Sequence, residues 1–144
     1  PILFYKGFHG LATYRAAHCL WNDNRHTMAL FFQNRASEIF GVDIHPAAKI
    51  SGGVMIDHAT GVVIGETSVI DENVSIYQGV TLGGKGFENG DRHPKIKSGV
   101  SIFASSTILG NITIEKNAKV AAGSLVLKDV KKNTTVAGIP AKEI

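Results

Sequence analysis

The chain has 144 residues, of which 44% are hydrophobic and 19% are charged, the composition of an ordinary single soluble domain. Its net charge of +3 comes from lysines and arginines dispersed along the sequence, which argues against a nucleic-acid partner. No apolar stretch approaches the roughly 20 residues needed to cross a bilayer, so no membrane association is expected. Cys19 is the only cysteine, which excludes an internal disulfide and favours a reducing, cytoplasmic compartment.

Residues 1–41 carry apolar side chains at helical spacing. Residues 22–24, with the sequence Asn-Asp-Asn, have the composition of a turn between two helices. Gly41 stands where the C-terminal stop of the second helix is expected. The sequence therefore predicts two short helices in a segment that ends at residue 41. The apolar positions are Phe8, Ala12, Ala16, Cys19 and Leu20 in the first helix, and Met28, Phe32, Ala36, Ile39 and Phe40 in the second.

From Ile44 to Val136 an aliphatic residue stands at nearly every sixth position. A period of six is neither the 3.6 of a helix nor the alternation of an ordinary strand, and it is typical of a hexapeptide solenoid. Short strands form the faces of each coil, and stacked coils share one continuous core. The sequence predicts a mainly β fold, a parallel β-helix over residues 42–144. The repeating positions are Ile44, Ile50, Ile56 and Val62, then Ile64, Ile70, Ile76 and Leu82, then Ile96, Ile102, Ile108, Ile114, Val120 and Val126.

Two interruptions of the repeat are candidate functional regions. The first is a phase slip of two residues near positions 57–63, which contain the sequence DHATG. The second is a protruding loop at about residues 83–95, with the sequence GGKGFENGDRHPK. Solenoids usually place such insertions on a binding face, and both interruptions contain a histidine beside a charged neighbour.

His58 in the first interruption is a candidate general base. Asp43 precedes it by roughly one coil, so the two side chains could meet on adjacent coils, and a carboxylate beside an imidazole raises its basicity. The alternative is that His58 is a polar turn residue with a satisfied hydrogen bond. Both interpretations stay open on spacing alone.

Arg92 and His93 in the loop suit a small carboxylate-bearing substrate, because guanidinium binds carboxylate in bidentate fashion. The alternative is a solvated loop without a binding role. His45, His58 and His93 could in principle supply three zinc ligands, but their spacing is unlike a local zinc motif and no metal is expected. The sequence contains no G-x-S-x-G nucleophile elbow and no phosphate-binding P-loop.

Six segments, read in order, closely resemble the serine acetyltransferase family, and the likeness covers essentially the whole chain. They are DIHPAAKI, DHATGVVIGE, VTLGGKG, GDRHPKI, ILGNI and VAAGSLVLKDV. The resemblance implies a left-handed parallel β-helix that transfers acetyl from acetyl-CoA to the hydroxyl of L-serine. The products would be O-acetyl-L-serine, used in cysteine biosynthesis, and CoA.

The resemblance also implies roles for individual residues. His58 would be the general base and Asp43 its partner. Asp57, Arg92 and His93 would bind serine through its ammonium, carboxylate and hydroxyl groups. Small residues would line the groove for CoA, namely Gly84, Ala104 and Ala122.

The family resemblance further implies partners. Cysteine would inhibit by occupying the serine site, which lies between adjacent subunits of a homotrimer, often paired into a hexamer. Residues 1–41 would be the remnant of a longer helical region that pairs the trimers. Family members also bind O-acetylserine sulfhydrylase through a long C-terminal tail ending in isoleucine. This chain ends in Ile144 without the long tail, which weighs against that complex.

Three other functions compete with this interpretation. A hexapeptide acetyltransferase for a sugar or xenobiotic hydroxyl would keep the coil and the catalytic histidine. A trimeric zinc enzyme of the γ-carbonic anhydrase type would use the same coil with three histidines. A non-catalytic assembly module would need neither.

Overall fold

The computed structural model describes residues 3–86 and 89–144. Two helices come first, α1 at Lys6–Asn22 and α2 at His26–Phe40. Gly41 follows α2 with a φ of 67°, and its N–H donates to the carbonyl oxygen of Ser37. Such a left-handed residue ends a helix at little steric cost only when it is glycine. The two predicted helices and the predicted stop at Gly41 are confirmed.

The described part of the chain then forms fifteen short strands, each of two to four residues. Most inward residues in these strands are aliphatic, and the outward neighbours are mainly polar, as the period of two within a strand requires. The strands are β1 Val42–Ile44, β2 Lys49–Ile50, β3 Met55–Ile56, β4 Val62–Ile64, β5 Val69–Ile70, β6 Ser75–Ile76, β7 Thr81–Gly83, β8 Lys95–Ile96, β9 Ser101–Ile102, β10 Thr107–Leu109, β11 Thr113–Ile114, β12 Lys119–Val120, β13 Leu125–Val126, β14 Thr135–Gly138 and β15 Ala141–Glu143.

The strands form three sheets that the chain visits in turn. Sheet 1 has the order β1-β4-β7-β10-β13, sheet 2 the order β2-β5-β8-β11, and sheet 3 the order β3-β6-β9-β12-β14-β15. All pairings are parallel except that of β14 with β15, which is antiparallel. Three faces visited cyclically make a triangular coil, so the predicted left-handed parallel β-helix after two helices is confirmed.

The core is built from columns of aliphatic side chains that stack in register between coils. In sheet 1, Ile44 lies opposite Ile64, Ile64 opposite Leu82, Leu82 opposite Ile108, and Ile108 opposite Val126. Each of these side chains is at most 3% exposed. Full burial of one such side chain contributes about 1.5–3 kcal/mol, so the six-residue repeat supplies most of the driving force for this fold.

The strand register also locates the breaks in the repeat. Val42 lies opposite Val62, whereas Val63 lies opposite Thr81, so the first coil is two residues longer than the second. The extra residues form the corner between β3 and β4, where the phase slip predicted them. A longer connection at residues 84–94 joins β7 to β8. Residues 87 and 88 of that predicted loop lie outside the described residues.

Helix α1 covers the first coil through a stripe of small residues rather than through its larger apolar side chains. A Cβ on Gly7 would lie 1.9 Å from the carbonyl oxygen of Ile56, and a Cβ on Gly10 would lie 3.2 Å from Val42 Cγ2. Tyr14 is 3% exposed, and its hydroxyl donates to the carbonyl oxygen of Ala48. Phe8, by contrast, is 47% exposed. Neither this helix nor any other within the described ranges has the length and hydropathy that a membrane span requires.

Candidate active site

The corner between β3 and β4 presents Asp57 and His58. One oxygen of the Asp57 carboxylate, Oδ1, accepts hydrogen bonds from the Tyr5 hydroxyl at 2.8 Å and from the backbone N–H of His58 at 2.9 Å. The other oxygen, Oδ2, lies 3.7 Å from His58 Nε2. The His58 side chain is 71% exposed. This corner therefore holds an anchored carboxylate next to an imidazole that solvent or a ligand can reach.

The backbone of this corner is held in an unusual conformation. His58 and Ala59 have φ values of 57° and 63°, in the left-handed region that residues other than glycine rarely occupy. Ala59 is fully buried, and its N–H donates to the Asp57 carbonyl at 2.6 Å. Strained backbone of this kind persists only where the surrounding packing fixes it, and it concentrates at functional sites.

A shallow cleft of about 500 Å³ opens beside His58. Lys6 at the start of α1 and Phe4 and Tyr5 just before it form one side of the cleft, and Thr60 forms part of the other. Burial and the neighbouring carboxylate of Asp57 raise the pKa of Tyr5 to about 12. Tyr5 therefore stays a hydrogen-bond donor to Asp57 across the physiological pH range.

Asp43 makes a different contact in this single chain, since no hydrogen bond or ion pair among the described residues joins it to His58. Asp43 Oδ1 accepts a hydrogen bond of 2.7 Å from Gln33 Nε2 of helix α2. Asp43 lies in a separate cleft with α2, and among the described residues the carboxylate that contacts His58 is Asp57. The Asp43 side chain points outward from β1, so it contacts helix α2 rather than the corner that carries His58. The catalytic roles of both residues stay predictions.

Arg92 and His93 lie at a second position, beside the turn that follows β4. The Arg92 guanidinium donates to Glu66 Oε2 at 2.7 Å through Nη2 and to the Gly90 carbonyl at 3.1 Å through Nη1. This hydrogen bond from Arg92 lowers the pKa of the Glu66 carboxyl. The Thr67 hydroxyl accepts the backbone N–H groups of Arg92 at 3.0 Å and His93 at 3.1 Å. The end of the loop is therefore attached firmly to the second coil.

His45 lies near this second group. Its Nδ1 accepts the backbone N–H of Ala47 at 3.1 Å, and the ring of Trp21 meets its ring edge-on at 5.1 Å. Burial lowers the pKa of the His45 imidazole. The structure places His45 in a fixed turn. Within residues 3–86 and 89–144 no group of three or more histidine, cysteine or acidic side chains is arranged to hold a metal ion.

The two groups lie at opposite edges of sheet 1. Asp57 and His58 precede β4, whereas Glu66 follows it and Arg92 and His93 pack onto that same following turn. The three residues of β4 span roughly 10 Å at the usual rise per residue. No hydrogen bond or ion pair of the described residues links the two groups. One chain alone therefore does not bring the predicted serine-binding residues together.

The residues predicted for the CoA groove also fall at two places. Ala104 and Ala122 occupy the same corner, between sheets 3 and 1, on successive coils, and the Ala104 carbonyl accepts the N–H of Gly123 at 2.8 Å. Gly84 lies at the other end of sheet 1, where an added Cβ would approach Arg92 Cγ at 3.4 Å. The corner at Ala104 and Ala122 lies above that of His58, whereas Gly84 lies with Arg92.

Comparison with known proteins gives a consistent result. No protein-family model matches the chain. The serine acetyltransferase of Haemophilus influenzae is 58% identical over 142 residues, which are 99% of this chain and 53% of that protein. A crystal structure of serine acetyltransferase from Brucella abortus in complex with coenzyme A superposes with a TM-score of 0.99, at 55% identity, over 100% of this chain and 58% of that one. A serine acetyltransferase in complex with cysteine gives a TM-score of 0.98, at 58% identity, over 100% of this chain and 56% of that one.

The chain resembles serine acetyltransferases in both sequence and fold. The family resemblance inferred from the six sequence segments is therefore confirmed. The chain spans about half the length of the curated relatives that it matches.

Sequence reasoning missed several residues that shape the serine acetyltransferase-like site. Tyr5 holds Asp57, Gln33 holds Asp43, and the pair Glu66 and Thr67 holds Arg92 and His93. Glu66 and Thr67 sit within the segment DHATGVVIGE and directly after it, and the motif was the only signal that could have pointed to them. Glu66 and Thr67 contact Arg92 and His93 only because the loop folds back onto the second coil.

Proposed function

We propose that the chain is the catalytic part of an enzyme that transfers the acetyl group of acetyl-CoA to the hydroxyl of L-serine. The products are O-acetyl-L-serine and CoA, in cysteine biosynthesis. The observation that carries this proposal is the exposed imidazole of His58 on a rigid corner beside the anchored Asp57, in a chain 58% identical to serine acetyltransferases.

His58 acts as the general base in this proposal. Its imidazole takes the proton of the serine hydroxyl while the hydroxyl oxygen attacks the thioester carbonyl. The tetrahedral intermediate then collapses, the carbon–sulfur bond breaks, and the imidazolium returns its proton to the CoA sulfur. General-base assistance of this kind is typically worth about 10²–10⁴ in rate.

A carboxylate stabilises the imidazolium that forms in this step. Asp57 is the carboxylate that lies beside His58 in the chain, at 3.7 Å. Asp43 keeps the role that the family resemblance implies, as the partner of His58, and must then adopt a different rotamer or meet a repositioned His58. One oxygen of Asp43 binds Gln33, which leaves the other oxygen for such a contact.

Serine is bound through its charged groups. Arg92 receives the carboxylate, Asp57 receives the ammonium, and His93 contacts a serine oxygen. Guanidinium and carboxylate form strong, directional pairs, so Arg92 supplies orientation as well as affinity. Cysteine carries the same ammonium and carboxylate with a thiol in place of the hydroxyl. We propose that it inhibits by occupying this site, and a solved serine acetyltransferase is a complex with cysteine.

The working unit is a homotrimer, with trimers pairing into a hexamer through additional helices. The support is the separation of the two residue groups on opposite edges of sheet 1, since a neighbouring copy can place its Arg92 and His93 beside His58. Acetyl-CoA lies along the corner of small residues at Ala104 and Ala122. Gly84 comes from the neighbouring copy, together with Arg92 and His93. The exposed, free Cys19 fits a cytoplasmic location.

The experiment is a thiol-release assay with acetyl-CoA and a panel of alcohols. L-Serine should give rapid CoA release, whereas D-serine, a sugar alcohol and a xenobiotic alcohol should not. Added cysteine should suppress the rate competitively with serine. Release that is faster with another alcohol would replace L-serine with that acceptor, and the absence of release with all of them would overturn the acetyltransferase proposal.

A further inference from the structure

We propose that Thr67 is a positioning residue that fixes His93 in the Nε2–H tautomer and fixes the backbone of the Arg92–His93 pair. His93 then presents an N–H donor to the substrate and cannot act as a second general base. This inference deepens the proposed function and rests on it for the identity of the substrate.

The Thr67 hydroxyl accepts two backbone N–H groups and lies beside the His93 ring. Its Oγ1 accepts the backbone N–H of Arg92 at 3.0 Å and that of His93 at 3.1 Å, which uses both lone pairs. The hydroxyl hydrogen must then be donated. His93 Nδ1 lies 2.9 Å from Oγ1 and is one acceptor in reach. The Asp91 carboxylate, which accepts from Lys95 Nζ at 2.5 Å, also lies within reach of the Thr67 hydroxyl, so the ring assignment depends on a second donor.

A second donor reaches the same ring nitrogen. The backbone N–H of Thr67 points at His93 Nδ1 with a nitrogen–nitrogen distance of 3.2 Å. A backbone amide can only donate, so Nδ1 must be an acceptor. The proton of the neutral ring is therefore on Nε2. If Nδ1 carried the proton, its N–H would face the backbone N–H of Thr67, and neither group could accept a hydrogen bond from the other.

The surroundings of His93 also favour the neutral ring. The residue is 7% exposed, and burial, together with the neighbouring Arg92, lowers the pKa of the imidazole. Lys95 adds a further positive charge, while Glu66 is engaged by Arg92. The His93 ring packs directly on Gly65. A Cβ at position 65 would lie 2.1 Å from His93 Nε2, so any other residue there would displace the ring.

A neutral imidazole with its proton on Nε2 is a hydrogen-bond donor to an oxygen of the substrate. It cannot accept the hydroxyl proton of serine through that nitrogen, which leaves His58 as the base. Thr67 thus makes His93 a hydrogen-bond donor and leaves His58 as the base, although Thr67 itself does not contact the substrate.

The tautomer is tested first, on the full chain without substrate. Protein labelled with ¹⁵N-histidine is measured by long-range ¹H–¹⁵N correlation NMR, with His93→Gln to assign the His93 signals. We expect Nε2 protonated and Nδ1 unprotonated at neutral pH. A proton on Nδ1 would overturn the inference, whatever reaction the protein catalyses.

The positioning role is tested with Thr67→Val, which removes the hydroxyl, and Thr67→Ser, which keeps it. We expect Thr67→Val to raise the KM for serine about tenfold or more, because two partly buried amides lose their acceptor and Nδ1 loses one of its two donors. The KM for acetyl-CoA should change less than about twofold, and Thr67→Ser should restore serine binding to within about threefold.

The outcomes separate the two proposals. Equal impairment of Thr67→Val and Thr67→Ser, or no impairment of either, would remove the hydroxyl from the positioning role while the serine reaction stands. If Thr67→Val does not fold, the spectrum of Thr67→Ser decides, since it must keep the Nε2–H tautomer. A parent protein without serine-dependent thiol release would refute the proposed function, yet the NMR result would still decide the tautomer.

Discussion

The hydroxyl of Tyr5 donates a 2.8 Å hydrogen bond to the carboxylate of Asp57, fifty-two residues further along the chain. This contact joins the segment before α1 to the corner that carries His58. Asp57 Oδ1 is thereby fixed, and Oδ2 faces the imidazole. The start of the helical segment thus contributes to the site as well as covering the end of the solenoid.

We expect Tyr5→Phe to lower kcat/KM for serine by about three- to tenfold, because Asp57 loses the donor that orients it. The free energy of unfolding should fall by about 1 kcal/mol. The measurements are steady-state kinetics and urea denaturation. Phe8→Tyr, which alters an exposed side chain in the first turn of the adjoining helix α1, is the matched control and should leave both values near those of the parent. Unchanged kcat/KM in Tyr5→Phe would show that Asp57 keeps its orientation without Tyr5.

His58→Asn should lower kcat by about 10²–10⁴ while CoA still binds, since asparagine lacks a basic nitrogen but tolerates the left-handed backbone of this position. Kinetics and calorimetric titration with CoA give the two values. His26→Asn, at an exposed position of α2, is the control for loss of a histidine. A near-normal kcat in His58→Asn would remove His58 from the base role.

Stability should fall as the pH is lowered from about 7 through the ordinary histidine pKa of 6.5. The pKa values of His45 and His93 are both lowered in the folded chain, chiefly by burial. Between the lowered values and 6.5 the unfolded chain binds protons that the folded chain does not, so the free energy of unfolding decreases as the pH falls.

Urea denaturation at a series of pH values measures this dependence. His93→Asn should show a shallower slope than the parent between pH 7 and pH 5, because one of the two imidazoles with a lowered pKa is gone. An unchanged slope in His93→Asn would mean that His93 is protonated alike in both states.

The architecture could be predicted from the sequence because the six-residue repeat and the fold are the same pattern. The slip between Val62 and Ile64 in the repeat marks the longer first coil that the register confirms. The site could be predicted only in part. His93 and Thr67 are in contact because a long loop folds back onto the preceding coil. No local sequence pattern predicts where such a loop will pack. The face of α1 that packs on the first coil could not be predicted either. Its close approach is made by Gly7, which has no side chain and so does not contribute to the apolar pattern of the helix.

The contact of α1 with the first coil gives a stability prediction. Gly7→Ala should lower the free energy of unfolding by about 2–3 kcal/mol, because its Cβ would lie 1.9 Å from the Ile56 carbonyl oxygen and the helix must shift. Gly10→Ala is the matched control. Its Cβ would meet Val42 at 3.2 Å, and the better helix propensity of alanine offsets part of the cost, so we expect a change within about 1 kcal/mol. Equal losses in the two variants, measured by urea denaturation, would contradict the difference in contact.

The separation of His58 from Arg92 across sheet 1 predicts complementation between two impaired variants. His58→Ala and Arg92→Ala chains are each expected to show little kcat/KM for serine. If a site takes His58 from one copy and Arg92 from the next, co-expression forms some sites from the two intact residues. Random mixing in a closed ring makes about one quarter of the sites intact, so the mixture should recover about one quarter of the parent kcat/KM. The control is the same pair of variants purified separately and mixed at low temperature without subunit exchange, which should stay inactive. A co-expressed mixture that also stays inactive would place both residues of each site in a single chain, against the distance that β4 sets between them.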